Sequence, residues 1–274
     1  CTVVATFTIN SYAVTASATG NGTITPASQS ITHGATAAFT VTPDTGHEVS
    51  MGGTCGGLLS DNTYTTFGIT AACTVTATFT PINYTVTASA GSGGSISPTS
   101  RSVAYGSTTT FTVTPNAGYT ASVGGTCGGS LSGTTYTTNA ITGACTVTAS
   151  FTINSYTVTA SAGSNGSISP ATQTVNHGST TTFTVTANSG YVISSVAGTC
   201  GGSLSGTTYT TSAITGNCTV VASFVVNNVT LSVTKNGTGT GTVTGNGINC
   251  GSTCSVTLAP TTNVTLTATK GTNS

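Results

Sequence analysis

Cysteines carry most of the chemical potential in this 274-residue chain, which holds nine of them. Six fall into pairs of equal spacing: Cys55 and Cys73, Cys127 and Cys145, and Cys200 and Cys218 each lie 18 residues apart. The first of each pair sits in a glycine-rich "GTCGG", and the second opens an alternating run such as "CTVTASF". Paired cysteines make disulfides or bind metal. Zinc takes four Cys or His ligands at tight spacing, whereas these pairs lack a CxxC partner and no histidine keeps a constant place beside them. Disulfides within each pair are therefore expected, and closing such a loop stabilises a domain by about 3 kcal/mol. Cys250 and Cys254, in "CGSTC", read as a small hairpin disulfide ahead of an incomplete ligand pair. Cys1 has no partner 18 residues upstream, as expected of a chain that starts inside a repeat. No metal or cofactor is expected.

Acid–base chemistry has fewer candidates, because the chain holds three Asp and Glu in total and three His. Asp44, His47 and Glu48 cluster in "TPDTGHEVS". The places they occupy recur downstream as Asn116, Tyr119 and Thr120, and again as Asn188, Tyr191 and Val192. Asp44 thus reads as a turn residue of the Asx kind, and His47 as the occupant of an aromatic slot. His33 and His177 stand in "THG" and "NHG" where the middle copy has Tyr105, so a turn aromatic accounts for all three. No Ser–His–carboxylate or paired-carboxylate set can be assembled in any copy. An enzyme is not expected.

These comparisons rest on internal repetition, the feature that decides the architecture. "GTCGGSLSGTTYTT" occurs identically at 125–138 and 198–211, with a looser copy at 53–66. Tyr12, Tyr84 and Tyr156 open matching segments 72 residues apart. Cys1, Cys73, Cys145 and Cys218 recur at 72, 72 and 73, the extra residue falling in "YVISSVAGTC". Residues 1–10 match the last strand of a preceding repeat. Residues 11–81, 82–153 and 154–226 form three whole repeats, and 227–274 begin a divergent, incomplete one. A chain with such ends reads as a window on a longer polypeptide.

Within a repeat the apolar residues follow period two. In "TTTFTVTA" Phe183, Val185 and Ala187 share one face and threonines the other; Cys218, Val220, Ala222 and Phe224 do the same in the final strand. Strict alternation between Gly, Asn and Ser turns signals strands with one buried and one wet face. Six strands are legible in the third copy: "YTVTASA", "SISP", "TTTFTVTA", "YVISSV", "TTYTTSAI" and "CTVVASF". The expected fold is all-β, a tandem array of small six-stranded antiparallel sandwich-like or roll domains of about 72 residues, each with one disulfide.

Only 2% of residues are charged, against about 25% in an ordinary soluble domain. With no basic patch, nucleic acid is a poor partner. The longest apolar run, "VVASFVV" at 220–226, is too short to span a bilayer, and membrane insertion is not expected. Nine cysteines in so plain a chain argue for an oxidising compartment, extracellular or at the cell surface.

"YTVTASAGSNGSISP", "HGSTTTFTVTANSGY" and "CTVVASF" together resemble the divergent internalin-type B-repeat family, found in tandem on bacterial surface proteins. The resemblance covers nearly the whole chain and implies extracellular spacer or adhesin modules, with no reaction. The cysteines depart from the plainer family pattern. A disulfide-stapled stalk of a bacterial filament or long adhesin follows, partnered by copies of itself or adjoining repeats, its nearly uncharged surface expected either to pack against neighbours or to be covered by glycan. Strands of about 17–23 Å imply three repeats spanning on the order of 100 Å. The competing expectation is an adhesin that contacts carbohydrate or ice: threonine ladders such as "TVTATFT" suit ice, but Trp is absent for stacking sugars.

Overall fold

The computed structural model describes residues 1–251 and 253–272, in two compact units, 1–152 and 153–274. The first repeat sets the pattern. Its strands are β1 (Ser11–Thr19), β2 (Gly22–Thr25), β3 (Ser28–Thr32), β4 (Ala38–Pro43), β5 (His47–Gly53), β6 (Gly57–Ser60), β7 (Thr63–Thr66) and β8 (Cys73–Pro81). They form two four-stranded sheets, one ordered β3-β1-β8-β5 and the other β2-β4-β7-β6. The same pair of sheets recurs in residues 83–153 and 155–226. The all-β tandem architecture with one disulfide per repeat stands, and no helix occurs among the described residues.

Two details of the sheets differ from the sequence reading. Each repeat has eight strands, not six. The two unread strands, typified by Thr172–Asn176 and Gly202–Ser205, carry little apolar periodicity. Gly202–Ser205 is an edge strand with every residue exposed, held by pairing to Thr208–Thr211 and by no core contact that a pattern could reveal. The sheets are also not wholly antiparallel. β1 and β8 pair in parallel from Val14↔Cys73 to Thr19↔Thr78, with counterparts in the other repeats. A strand's alternation is the same whichever way its neighbour runs.

The core lies between the two sheets. Val14, Val75 and Ala77 meet Phe39, Val41, Tyr64 and Ile69, all buried. Equivalent clusters centre on Phe111 and Tyr136, and on Phe183 and Tyr209. The one-residue insertion of the third repeat becomes a β-bulge, a register shift between Ile193 and Ser195 against the final strand. The surplus residue is absorbed without reversing the faces of the strand beyond it.

Residues 1–10 form no strand, although they match β8 in sequence, and Val3 and Phe7 are 91% and 93% exposed. A strand of this class is held by the first and fifth strands of its own repeat, and those of the first repeat already flank β8. The divergent segment forms a two-stranded sheet of Val229–Ser232 with Ser255–Leu258. Gly241–Gly245 lies between Ile248–Asn249 and Thr267–Lys270 in a three-stranded one.

Candidate functional site

The staple region is built three times on one plan, with the loop after the first cysteine differing in the first repeat, where Gly56 lacks the positive φ of Gly128 and Gly201. Gly53 ends β5 with φ +103°, and a Cβ there would come within 2.2 Å of the Thr74 carbonyl oxygen, so only glycine admits the close approach. The chain then doubles back beside β8. The Thr74 N–H donates to Thr54 Oγ1 at 2.9 Å, and the Cys55 N–H donates to the Thr74 carbonyl at 2.9 Å. This places Cys55 against Cys73, Cα–Cα 5.2 Å, where the disulfide closes. Cys127–Cys145 and Cys200–Cys218 repeat it with Cα–Cα distances of 5.1 and 5.0 Å. Cys250–Cys254 is joined as well, although Ser252 between them lies outside the described residues. Cys1 is a free, exposed thiol.

A buried tyrosine backs each staple. Tyr64 donates its hydroxyl to the Cys55 carbonyl at 3.0 Å, Tyr136 to that of Gly128 at 2.7 Å, and Tyr209 to that of Gly201 at 2.8 Å. Burial pushes all three phenols above their ordinary value, because the charged form is poorly solvated there. Beside each staple is a recess, of about 210, 180 and 170 Å³ in chain order. Threonine, isoleucine, alanine, glycine and cystine line it, together with Phe67 in the first repeat and Asn217 in the third, and no Asp, Glu, His, Lys or Arg is among the lining residues.

The polar candidates are not drawn together into a reaction site. Asp44 is exposed and its carbonyl accepts the His47 N–H at 3.0 Å, closing a turn. Asn116 and Asn188 close the same turn onto Tyr119 and Tyr191. His47 Nε2 lies 3.3 Å from Asn21 Nδ2, and Glu48 is exposed on the outer face opposite Thr80. His33 and His177 tilt against Tyr12 and Tyr156 as Tyr105 does against Tyr84, at centroid distances of 5.9, 6.0 and 6.4 Å. Among the described residues no three His, Cys, Asp or Glu gather to hold a metal. Exposed hydroxyl side chains form ranks across the second sheet, as in Thr25, Thr40 and Thr63 of the first repeat, continued by Ser60.

Two arrangements escaped the sequence. Thr66, Thr138 and Thr211 are buried, and their hydroxyls accept the backbone N–H groups of Ala37, Thr109 and Thr181 at 2.9 to 3.0 Å. Their only signal is a fixed place in "TTYTT" and its variants, lost among so many threonines. The second is the junction of the first two repeats. Ile82 alone separates β8 from the next strand, Asn83–Ala90; its N–H donates to the Gly46 carbonyl at 2.8 Å. A Cβ on Gly46 would stand 2.1 Å from the Tyr105 ring. Gly190 has the same role further on, its carbonyl accepting the Asn227 N–H at 2.9 Å. The glycine recurs in the sequence, but its partner lies in the following repeat.

Comparison with curated proteins finds no match. A family model, the divergent InlB B-repeat domain, matches residues 12–83, 84–155 and 156–228. Each match begins at the tyrosine that opens a repeat and runs through all but the first residue of its eight-stranded domain, cystine and buried tyrosine included. With most of its length matched in three consecutive copies, the chain belongs to the divergent InlB B-repeat domain family.

Proposed function

We propose that this chain is a structural segment of an extracellular bacterial filament or long surface adhesin, a stalk of disulfide-stapled repeats. Family membership supports a bacterial surface repeat region. The observation that carries the finer reading is the junction at Ile82. A one-residue connector, a Gly46 carbonyl bond and the Tyr105 ring packed on Gly46 leave the first two repeats little freedom. A spacer needs that restriction, whereas a flexible linker works by its absence. Cystines in every repeat favour an oxidising exterior. The polar residues take turn and packing roles, which supports a non-enzymatic role.

Harvesting surface fibres by shear and imaging them tests the reading. An axial periodicity of one repeat is expected, and its absence from all surface structures that contain this chain would overturn it. Boiling in detergent with reductant then separates two assemblies. A polypeptide much larger than 26.5 kDa marks a continuous chain, and a discrete band near 26.5 kDa marks separate subunits.

A further inference from the structure

The geometry points to a further function, resting on the stalk reading: each complete repeat is a shear clamp that holds tension along the chain. The strands through which a repeat joins its neighbours are its first and last, and these are adjacent and parallel. The pairing runs over six residues in the first repeat, Val14↔Cys73 to Thr19↔Thr78. It runs over five in the second, Val86↔Cys145 to Ala90↔Ala149, and five in the third, Val158↔Cys218 to Ala162↔Ala222.

The direction of loading follows from the topology. Tension enters the first repeat at Ser11, the start of β1, and leaves at Pro81, the end of β8. In a parallel pair these two points lie at opposite ends of the shared ladder. The strands are therefore drawn past each other, and the evenly spaced bonds of the parallel ladder stretch together. Were the two antiparallel, both points would lie at one end and the bonds would break singly, in succession. Sliding would also drag Val14, Val75 and Ala77, each fully buried, out of the core and into water.

Two features anchor β8 on its other sides. β5 pairs with it antiparallel from His47↔Pro81 to Gly53↔Val75, and the Cys55–Cys73 disulfide fixes its first residue to the loop that follows β5. Sliding β8 thus requires moving a covalently attached loop and a second ladder. Ile82 then passes the load to the next first strand without slack. A repeat of modest equilibrium stability can still resist load, because persistence under force depends on the rate of rupture.

The test pulls on the intact chain, held by the Cys1 thiol and a tag on its C-terminus. Of the 70 links from Ser11 to Pro81 the disulfide bypasses 18. Each complete repeat should therefore release a contour of about 190 Å less its folded span. Reductant should lengthen each release by about 60 Å. These lengths establish that the repeats were folded before loading. Holding the same chain instead by Cys1 and an azide-bearing residue in place of the exposed Thr70 loads β1 and β8 from one end. The first repeat should then rupture at several-fold lower force. Equal forces in the two directions, or end-to-end extension without resolved ruptures, would overturn the clamp. Either result leaves the fibre imaging untouched, so loss of the clamp and loss of the stalk are separately visible.

Discussion

Replacing Cys127 and Cys145 together by alanine removes the staple of the second repeat and leaves the other two as internal references. The native fold has little reason to change there. The Thr146 N–H still reaches Thr126 Oγ1 at 2.9 Å, and the Cys127 N–H still reaches the Thr146 carbonyl at 3.2 Å through backbone that alanine retains. The effect therefore falls on the unfolded chain, which gains the freedom of the 18-residue loop. In the chain-entropy model that amounts to about 3 kcal/mol. For a domain of this size each kcal/mol moves Tm by about 4–8 °C, so the second repeat should melt about 12–24 °C lower. Calorimetry on the whole chain reads this directly, as one transition leaving a group of three. Urea titration should also show a steeper dependence for that repeat, since its unfolded state is more expanded. A displacement below about 4 °C would refute the reasoning, because the loop would then be constrained in the unfolded state or held natively without the bond.

Gly46→Ala places a methyl in the Tyr105 ring and a side chain at φ +79°, so Ile82 amide exchange should accelerate. Adding Tyr105→Ala should recover some of the loss, and strict additivity of the two changes would argue against the contact. Thr138→Val leaves the half-buried Thr109 N–H without its acceptor and should cost about 1 kcal/mol, while Thr138→Ser keeps the oxygen and should cost less; equal losses in chemical denaturation would count against the bond. The buried phenols titrate above their unfolded value of about 10. Their contribution is thus complete below about pH 10 and lost as pH rises through the folded values. Denaturation midpoints should fall on that alkaline limb, and changing Tyr64, Tyr136 and Tyr209 to Phe should flatten it. The lysines are Lys235 and Lys270, both in the divergent segment. Intact mass should therefore show no ammonia loss from Lys–Asn cross-links in the three complete repeats.

Much of this protein follows from its sequence because its signals are local or periodic. Alternation in "TFTVT" and "CTVVASF" demands a strand with one buried face, and the structure buries Phe183, Val185, Val220 and Ala222 accordingly. The repeat period needs only comparison of the chain with itself, and that comparison also removed Asp44 and His47 from contention as a shared acid–base pair. Even the extra residue of the third repeat was visible, though its form as a bulge was not. Other features belong to residues far apart in the chain. The parallel union of β1 with β8 joins positions 59 apart, as in Val14 and Cys73, and nothing in either strand encodes its neighbour's direction. Gly202–Ser205 is a strand because Thr208–Thr211 offers it an edge, not because its own residues seek a core. Thr66 looks like every other threonine until folding closes it over Ala37 and excludes the water that would otherwise solvate both. Residues 1–10 make the same point in reverse: they carry the pattern of a final strand, yet form no strand, and the Asn10 carbonyl, which accepts the His33 N–H, only leads into β1. Alternation specifies which face a strand must hide. Only the tertiary structure supplies the neighbour that accepts its hydrogen bonds.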